Sequence, residues 1–144
     1  MNREEAVARL RSARVGRLAT VTPDGRPHVV PLVFVLVGED PALRVYWVVD
    51  RKPKRSPRIQ RLGNLEANPA AELVVDGYDE DWERLWWVRA SGAGRVVDSP
   101  AERATGLSAL RAKYQRYEAD PPDGPVIALD VARITCWEGT AERG

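Results

Sequence analysis

The chain has 144 residues, within the range of about 100 to 200 residues of an ordinary domain, so we expect a single domain over residues 1–144. Its 22 Lys and Arg nearly balance its 21 Asp and Glu, and its net charge therefore predicts neither a nucleic-acid partner nor a membrane surface. The chain has one cysteine, and no apolar stretch approaches the roughly 20 residues that a membrane helix needs. The sequence also shows no secretory signal pattern, so we expect a cytoplasmic protein.

The first predicted elements are a helix and a β-hairpin. Asn2 can cap the helix, and Gly16 is a plausible stop. The hairpin spans residues 16–37, and Pro23, Asp24 and Gly25 supply its turn chemistry. Residues 29–37 are apolar throughout, so both faces of this strand are predicted to be covered, in a barrel wall or at a subunit interface.

Pro31 stands in the middle of that second hairpin strand. It has no N–H to donate to a neighbouring strand, and prolines in sheets are confined to edges, bulges and places where pairing stops. Two interpretations stay open here. The strand lies at the edge of a sheet, or a flat ligand lies against the interrupted backbone.

Four more strands and two more helices are predicted in the rest of the chain. The resulting order, α-β-β-β-α-β-β-α-β, lacks the regular alternation of a doubly wound parallel sheet. It predicts a mostly-β (α+β) fold, a six-stranded antiparallel barrel with flanking helices. Gly92 and Gly94 predict a bulge or a close backbone approach in the strand that contains them. The strands cover residues 43–49, 71–76, 85–97 and 126–137, and the helices start at the caps Ser56 and Ser99.

A cationic segment at residues 50–61, DRKPKRSPRIQR, is the strongest local signal for chemistry. It carries six Lys and Arg and leads directly into the helix predicted to start at Ser56 and Pro57. Free backbone N–H groups, the positive end of the helix dipole and basic side chains then converge, as they do at phosphate sites. The alternative interpretation is a solvated run of charge.

Other candidate residues carry weaker signals. His28 is the only histidine, so no His-based metal cluster is possible, and no nucleophile elbow or P-loop occurs. His28 either touches a ligand or is an ordinary turn residue. Trp86 and Trp87 point to opposite faces of a strand, so one can enter the core while the other meets a ligand or partner. The carboxylates of residues 79–81 are predicted to form a solvated turn, and we assign no catalytic and no metal-binding residue.

Four segments in order resemble the pyridoxamine 5'-phosphate oxidase-like family of split β-barrel proteins, which bind flavin or deazaflavin. They are most similar to the branch of probable coenzyme F420-dependent enzymes. The resemblance extends over nearly the whole chain. The segments are GRLATVTPDGRPHVVPLVF at residues 16–34, DRKPK at 50–54, NLEANP at 64–69, and DGYDEDW at 76–82 continuing to LWWVR at 85–89.

The resemblance implies a homodimer that binds its cofactors in clefts at the subunit interface. It also implies which positions contact the cofactor. These are Lys52, Lys54, Ser56 and Arg58 at the phosphate, the backbone of Val30, Pro31 and Val33 along the ring system, and Trp82 reaching the cleft from the other subunit.

The implied function is an F420-dependent oxidoreductase that transfers a hydride between the reduced deazaflavin and a small organic acceptor. The cofactor performs this chemistry, while the protein supplies orientation and electrostatics. An FMN-binding oxidoreductase of the same family and a non-catalytic cofactor carrier are the alternatives. The surplus of basic residues at 50–61 favours the deazaflavin, whose tail is anionic. The only basic residues near the C-terminal end are Arg133 and Arg143. They do not form the second basic cluster that a substrate phosphate would require, which disfavours a true pyridoxamine phosphate oxidase. We expect neither a nucleic-acid nor a membrane partner.

Overall fold

The computed structural model describes residues 1–49 and 58–139, with residues 58–61 described by their backbone alone. Every strand pair within these ranges is antiparallel. The elements are α1 (Arg3–Ser12), β1 (Gly16–Val21), β2 (Pro27–Leu32), β3 (Val35–Val37), β4 (Arg44–Val48), α2 (Arg58–Ala67), β5 (Ala70–Gly77), a 3-10 helix (Trp82–Arg84), β6 (Trp86–Val96), α3 (Pro100–Lys113), α4 (Gln115–Ala119) and β7 (Val126–Glu138).

The described strands form one seven-stranded sheet with the order β2-β1-β5-β6-β7-β4-β3. β2 and β3 follow each other in the chain and yet form the two opposite edges of the sheet. The sheet therefore curls into a half-barrel around its core. The predicted mostly-β antiparallel fold with flanking helices is confirmed, but the described sheet is a half-barrel and the predicted number of six strands is wrong.

The additional strand arises because residues 29–37 do not form one strand. β2 ends at Leu32 and β3 begins at Val35. Between them, the N–H of Phe34 donates to the hydroxyl of Tyr114 at 3.1 Å, and the Phe34 carbonyl accepts from Nζ of Lys113 at 2.9 Å. Since side chains from the end of α3 satisfy these backbone groups, the sheet ladder can stop here without leaving a buried peptide group unpaired.

Two of the three predicted helix caps, Asn2 and Ser99, are confirmed, and the third, Ser56, lies outside the described residues. Asn2 accepts a hydrogen bond from the Glu5 N–H at 2.8 Å, and the Glu5 carboxylate accepts one from the Asn2 N–H at 3.0 Å. Gly16 is not the stop of α1, however. The helix ends at Ser12, where the N–H of Ala13 bonds the Arg9 carbonyl at 3.1 Å and the chain then becomes extended.

Buried apolar side chains form two clusters on opposite faces of the sheet. The larger cluster lies inside the curl, beneath α1 and α2, and contains Leu10, Leu18, Trp47 and Leu73. The smaller cluster lies where α3 and α4 pack on the outside of β3, β4 and β7, and includes Tyr46, Leu110 and Val126. Burial of one such side chain contributes about 1.5 to 3 kcal/mol to stability. Because α3 packs on β3, β4 and β7, it covers only one part of the outer face of the sheet.

A polar network fixes the start of α3 on the sheet. Ser99 caps the helix by accepting from the Glu102 N–H at 3.2 Å, but the Glu102 carboxylate does not complete a capping box. It accepts from both Nη atoms of Arg95, at 2.9 and 2.8 Å, and from the Tyr46 hydroxyl at 2.7 Å, while Arg95 also donates to Asp130 at 2.7 Å. These hydrogen bonds from Arg95 and then Tyr46 lower the pKa of Glu102 from 4.5 to about 2.

We predict that Glu102→Gln destabilises the protein by about 1 to 3 kcal/mol at pH 7, because the network loses its charged acceptor. The folded-state pKa of Glu102 lies below its ordinary value, so its contribution is present above pH 4.5 and is lost as the pH falls toward 2. The variant should therefore show a shallower loss of stability over this interval. Urea denaturation at a series of pH values measures both effects.

Glu118→Gln is the matched control. Glu118 pairs with Arg111 at 3.3 Å on the surface and its side chain is 64% exposed. Its removal should change the unfolding free energy by no more than about 0.5 kcal/mol. Equal losses for the two variants would contradict the role assigned to the Glu102 network.

Candidate functional site

The outer face of β2, β1, β5 and β6 carries the candidate site. Val29 on β2 is 61% exposed, and its strand neighbours Pro27 and Pro31 are exposed as well. Edge strands usually carry charges that prevent association with other chains. An apolar, open edge strand is instead typical of a surface that meets a ligand or another protein. In the single chain the outer face of β2 is therefore open, although the sequence predicted that both faces of this strand would be covered.

A shallow depression of about 370 Å³ lies on this face. Small side chains line most of it, among them Ala19, Ala70 and Gly92, together with Val21 and Pro27. Gly25 closes one side, with the positive φ of 88° that the predicted hairpin turn requires. The lining is mainly apolar and carries few large side chains, so the depression suits the apolar face of a ring.

Ser91 supplies an unpartnered hydroxyl in this depression. The residue is 8% exposed, and its Oγ has no hydrogen-bond partner among the described residues. A register shift between Ser91 and Gly92 confirms the predicted bulge. A Cβ on Gly92 would lie 1.9 Å from the Asp130 carbonyl oxygen, so glycine allows the close approach of β7. Buried hydroxyls without a partner are rare, and the Ser91 Oγ is itself buried beneath the surface of the depression.

A second depression, of about 410 Å³, lies toward the other end of the same face and is lined by aromatic residues. Trp87 and Trp137 are cross-strand partners here, and Arg89 lies over the Trp87 ring at 5.2 Å from its centroid. Trp86 points to the opposite face, where it packs against the larger core cluster and lies under Arg9 at 4.8 Å. The prediction that the two neighbouring tryptophans point to opposite faces is confirmed.

Charged residues on this face are paired across strands. Arg17 lies 3.3 Å from Asp76, and Arg89 lies 3.3 Å from Glu72. All four side chains are more than a third exposed, so each pair contributes about 1 kcal/mol or less to stability. With its charges paired in this way, the face is suited to the uncharged part of a ligand.

The structure describes the side chains of four of the eight predicted cofactor contacts. Val30 faces the core, Pro31 lies on the outer face opposite Arg17, Val33 lies in the break after β2, and Trp82 is 68% exposed in the 3-10 helix. Because Val30 and Pro31 face opposite sides, a ligand on the outer face would meet Val30 through its backbone only. Arg58 is described by its backbone as the first residue of α2, and Lys52, Lys54 and Ser56 lie outside the described residues.

The position of Pro31 confirms one of its two interpretations. β2 is an edge strand, paired only with β1 among the described strands. Pro31 therefore needs no donor toward a second neighbour. The contact of a ligand with this backbone stays a prediction.

His28 and the acidic loop complete the predicted candidates. His28 is half-buried opposite Thr20, and its Nδ1 has no hydrogen-bond partner among the described residues. The acidic loop is the predicted turn, because Asp79 accepts from the Asp81 N–H at 2.8 Å and Asp81 caps the 3-10 helix. Within residues 1–49 and 58–139 no group of side chains has the makeup of a metal site, and no helix has the length and apolar character to cross a membrane.

Comparison with known families gives one match over most of the chain. A model of the family described as pyridoxamine 5'-phosphate oxidase matches residues 3–138. No curated protein matches the sequence.

Solved structures with the same fold include proteins of different descriptions. A conserved hypothetical protein from Mycobacterium tuberculosis has a TM-score of 0.75 at 18% identity, over 100% of this chain and 89% of its own. An FAD-binding protein from Mesorhizobium loti has a TM-score of 0.65 at 20% identity, over 94% of both chains. A heme-binding protein from Mycobacterium smegmatis has a TM-score of 0.67 at 23% identity, over 96% of this chain and 58% of its own. At these identities the similarities establish the fold.

We predict that Ser91→Ala leaves the unfolding free energy unchanged within about 0.5 kcal/mol or raises it, because it removes a buried hydroxyl that has no partner. Thr20→Val is the matched comparison. The Thr20 hydroxyl is buried and accepts from Nδ2 of Asn64 at 3.0 Å, so its loss should cost about 1 to 3 kcal/mol. Urea denaturation of both variants tests this. A loss at Ser91 as large as that at Thr20 would mean that the Ser91 hydroxyl is bonded within the folded chain.

Proposed function

The chain belongs to the pyridoxamine 5'-phosphate oxidase family, and on this premise we propose that it is an oxidoreductase whose flavin-type ring lies on the outer face of β2, β1 and β5. The observation that carries the proposal is the unpartnered hydroxyl of Ser91 in the apolar depression on that face. We propose coenzyme F420 as the cofactor, with FMN as the alternative.

The residues of the depression fit such a ring. Ala19, Ala70 and Gly92 leave a low floor, and Val21 and Pro27 are apolar neighbours. A flavin-type ring has one edge that hydrogen-bonds, and the Ser91 hydroxyl, which is buried in the free chain, would donate to it or accept from it once its side chain rotates toward the depression. Pro31, exposed on the edge strand, has no N–H that would require a partner.

The phosphate and the anionic tail would be held by the cationic segment at residues 50–57. This segment joins the end of β4, at Val48, to the start of α2, at Arg58. Its basic residues include Lys52 and Lys54, and the sequence predicts Ser56 as the cap of the helix that the structure describes from Arg58. A helix N-terminus next to basic side chains favours anions. Charge on the cofactor would thus be bound here, while the face with paired charges takes the ring.

A second copy of the chain would cover the open face in this proposal. Val29 at 61% exposure and its two proline neighbours form an apolar edge that a homodimer would bury. Trp82, 68% exposed, would then reach the cofactor cleft of the partner subunit. Protein contacts on both sides of the cleft would exclude water from the ring.

When bound, the cofactor supplies hydride transfer to or from a small organic acceptor. The chain's own residues bind and orient: Ser91 fixes the ring edge, the backbone of β2 supports the ring, and the basic segment holds the tail. We assign no side chain a catalytic role. A non-catalytic carrier would use the same contacts, and the two differ in turnover of the reduced cofactor with added acceptors.

We predict that the protein binds coenzyme F420 more tightly than FMN, and that Lys54→Ala weakens binding about 10- to 100-fold, because one charge-assisted hydrogen bond to phosphate is lost. Fluorescence titrations of the wild-type protein with F420, FMN and haem measure the preference. Haem is included because a heme-binding protein shares the fold.

Arg116→Ala is the control for loss of one positive charge, since Arg116 is exposed on α4. The affinity of the Arg116→Ala variant for F420 and FMN should stay within twofold of wild type. Tighter binding of FMN would move the assignment to the flavin branch of the family. Binding of haem alone, or of none of the three, would end the oxidoreductase proposal.

For the homodimer, we predict that Val29→Glu gives monomers at micromolar concentration, because a carboxylate would be buried in the proposed interface without a partner. Val96→Glu is the control, since Val96 is 41% exposed and lies opposite the core residue Ile127, away from the Val29 surface. Light scattering after gel filtration distinguishes the species. A wild-type monomer, or a dimer that survives Val29→Glu, would contradict this interface.

A further inference from the structure

The C-terminal end of α3 is joined to the hairpin through the hydroxyl of Tyr114. This hydroxyl accepts from the Phe34 N–H at 3.1 Å and lies within donating distance of two carbonyl oxygens, Phe34 at 2.8 Å and Arg14 at 2.9 Å. Phe34 follows β2, and Arg14 precedes β1. One side chain therefore contacts both chain segments at the open end of the β1–β2 hairpin.

Lys113 forms a second link at the same place. Its Nζ donates to the Ala13 carbonyl at 2.7 Å and to the Phe34 carbonyl at 2.9 Å, and it lies 4.3 Å from the centroid of the Phe34 ring. Burial is the main cause that lowers the pKa of Lys113 from 10.5 to about 8, and Arg14 adds to it. Four side chain to backbone hydrogen bonds thus converge on residues 13, 14 and 34, even if the Tyr114 proton serves only one carbonyl at a time.

Support at this position matters because β2 is an edge strand. Among the described strands it pairs with β1 alone, and its register with β1 ends at the pair Leu32 and Gly16. The hairpin turn at Gly25 fixes the other end. Without the contacts from α3, the end of β2 that contains Val30 and Pro31 would be held only by its ladder with β1 and by the packing of Val30 and Leu32 on the core.

We infer that Tyr114 and Lys113 are positioning residues for the cofactor, because they hold the backbone at Phe34, directly after Pro31 and Val33, whose backbone is proposed to lie along the ring. This inference rests on the proposed function. The residues do not touch the ring in this scheme. They act by keeping the edge strand in one conformation before binding, which reduces the conformational entropy that is lost when the cofactor binds.

The test uses Tyr114→Phe with Tyr46→Phe as its matched control. Both hydroxyls belong to residues of the smaller core cluster and both make hydrogen bonds, but the Tyr46 hydroxyl donates to Glu102 in the first turn of α3, at 2.7 Å, and not to the chain around Phe34. Each variant removes one oxygen atom and should cost similar stability. Only Tyr114→Phe is expected to weaken binding of F420 or FMN, about 5- to 20-fold, with Tyr46→Phe within twofold of wild type.

Amide hydrogen exchange supplies a readout that does not depend on the cofactor. The Phe34 N–H should exchange faster in Tyr114→Phe and unchanged in Tyr46→Phe, both measured where the proteins are folded. Lys113→Met, which keeps the alkyl chain, should weaken binding in the same direction as Tyr114→Phe. It serves as the second variant if Tyr114→Phe folds poorly.

Three outcomes would overturn the inference. The first is unchanged Phe34 exchange in Tyr114→Phe, the second is unchanged affinity in a variant whose exchange has risen, and the third is equal loss of affinity in Tyr46→Phe, which would point to general destabilisation. A wild-type protein that binds neither cofactor refutes the proposed function and the positioning role with it. The exchange result then still decides whether the Tyr114 hydroxyl holds the break.

Discussion

The hydrogen bonds at Phe34 are the interaction on which the rest of the structure depends. Side chains from α3 satisfy the N–H and carbonyl of this residue, so the chain can leave one edge of the sheet and join the opposite edge within three residues, from Leu32 to Val35. That transfer makes neighbours in sequence, β2 and β3, the two ends of one curled sheet. A strand that continued from Val29 to Val37 would have required partners along its full length instead. The curl, the enclosed core and the open edge at β2 all follow from this single interruption.

The helix α3 is held at both ends, and this determines which part of the sheet stays open. At its start, Glu102 accepts from Arg95 and Tyr46. At its end, Lys113 and Tyr114 bond the chain around Phe34. Between these points it covers the outside of β3, β4 and β7. The remaining outer surface, on β2, β1, β5 and β6, is where both depressions lie, so the packing that stabilises one half of the sheet also defines the candidate site on the other half.

Features that depend on neighbouring residues could be predicted from the sequence, and those that depend on distant partners could not. The turn at Gly25, the cap at Asn2 and the bulge beside Gly92 each follow from local backbone chemistry, and all three are present. The break at Phe34 was missed because its partner, Tyr114, lies 80 positions further along the chain and an apolar run carries no sign of it. Ser91 was missed for a similar reason, since only the assembled sheet buries its hydroxyl. The contacts assigned to Lys52, Lys54 and Ser56 stay predictions, because they fall outside the described residues.

Two properties of the open face make a structural role alone an insufficient explanation. An exposed valine such as Val29 is common on protein surfaces and by itself indicates little. A buried hydroxyl without a partner, as at Ser91, lowers stability and is uncommon in native structures. Both lie on the same strand row, because Val29 is opposite Ala19, Ala19 opposite Glu72, and Glu72 opposite Ser91. Natural sequences break local rules of stability chiefly at functional sites, so the unpartnered Ser91 hydroxyl on the row of the exposed edge residue Val29 favours this face as a binding surface.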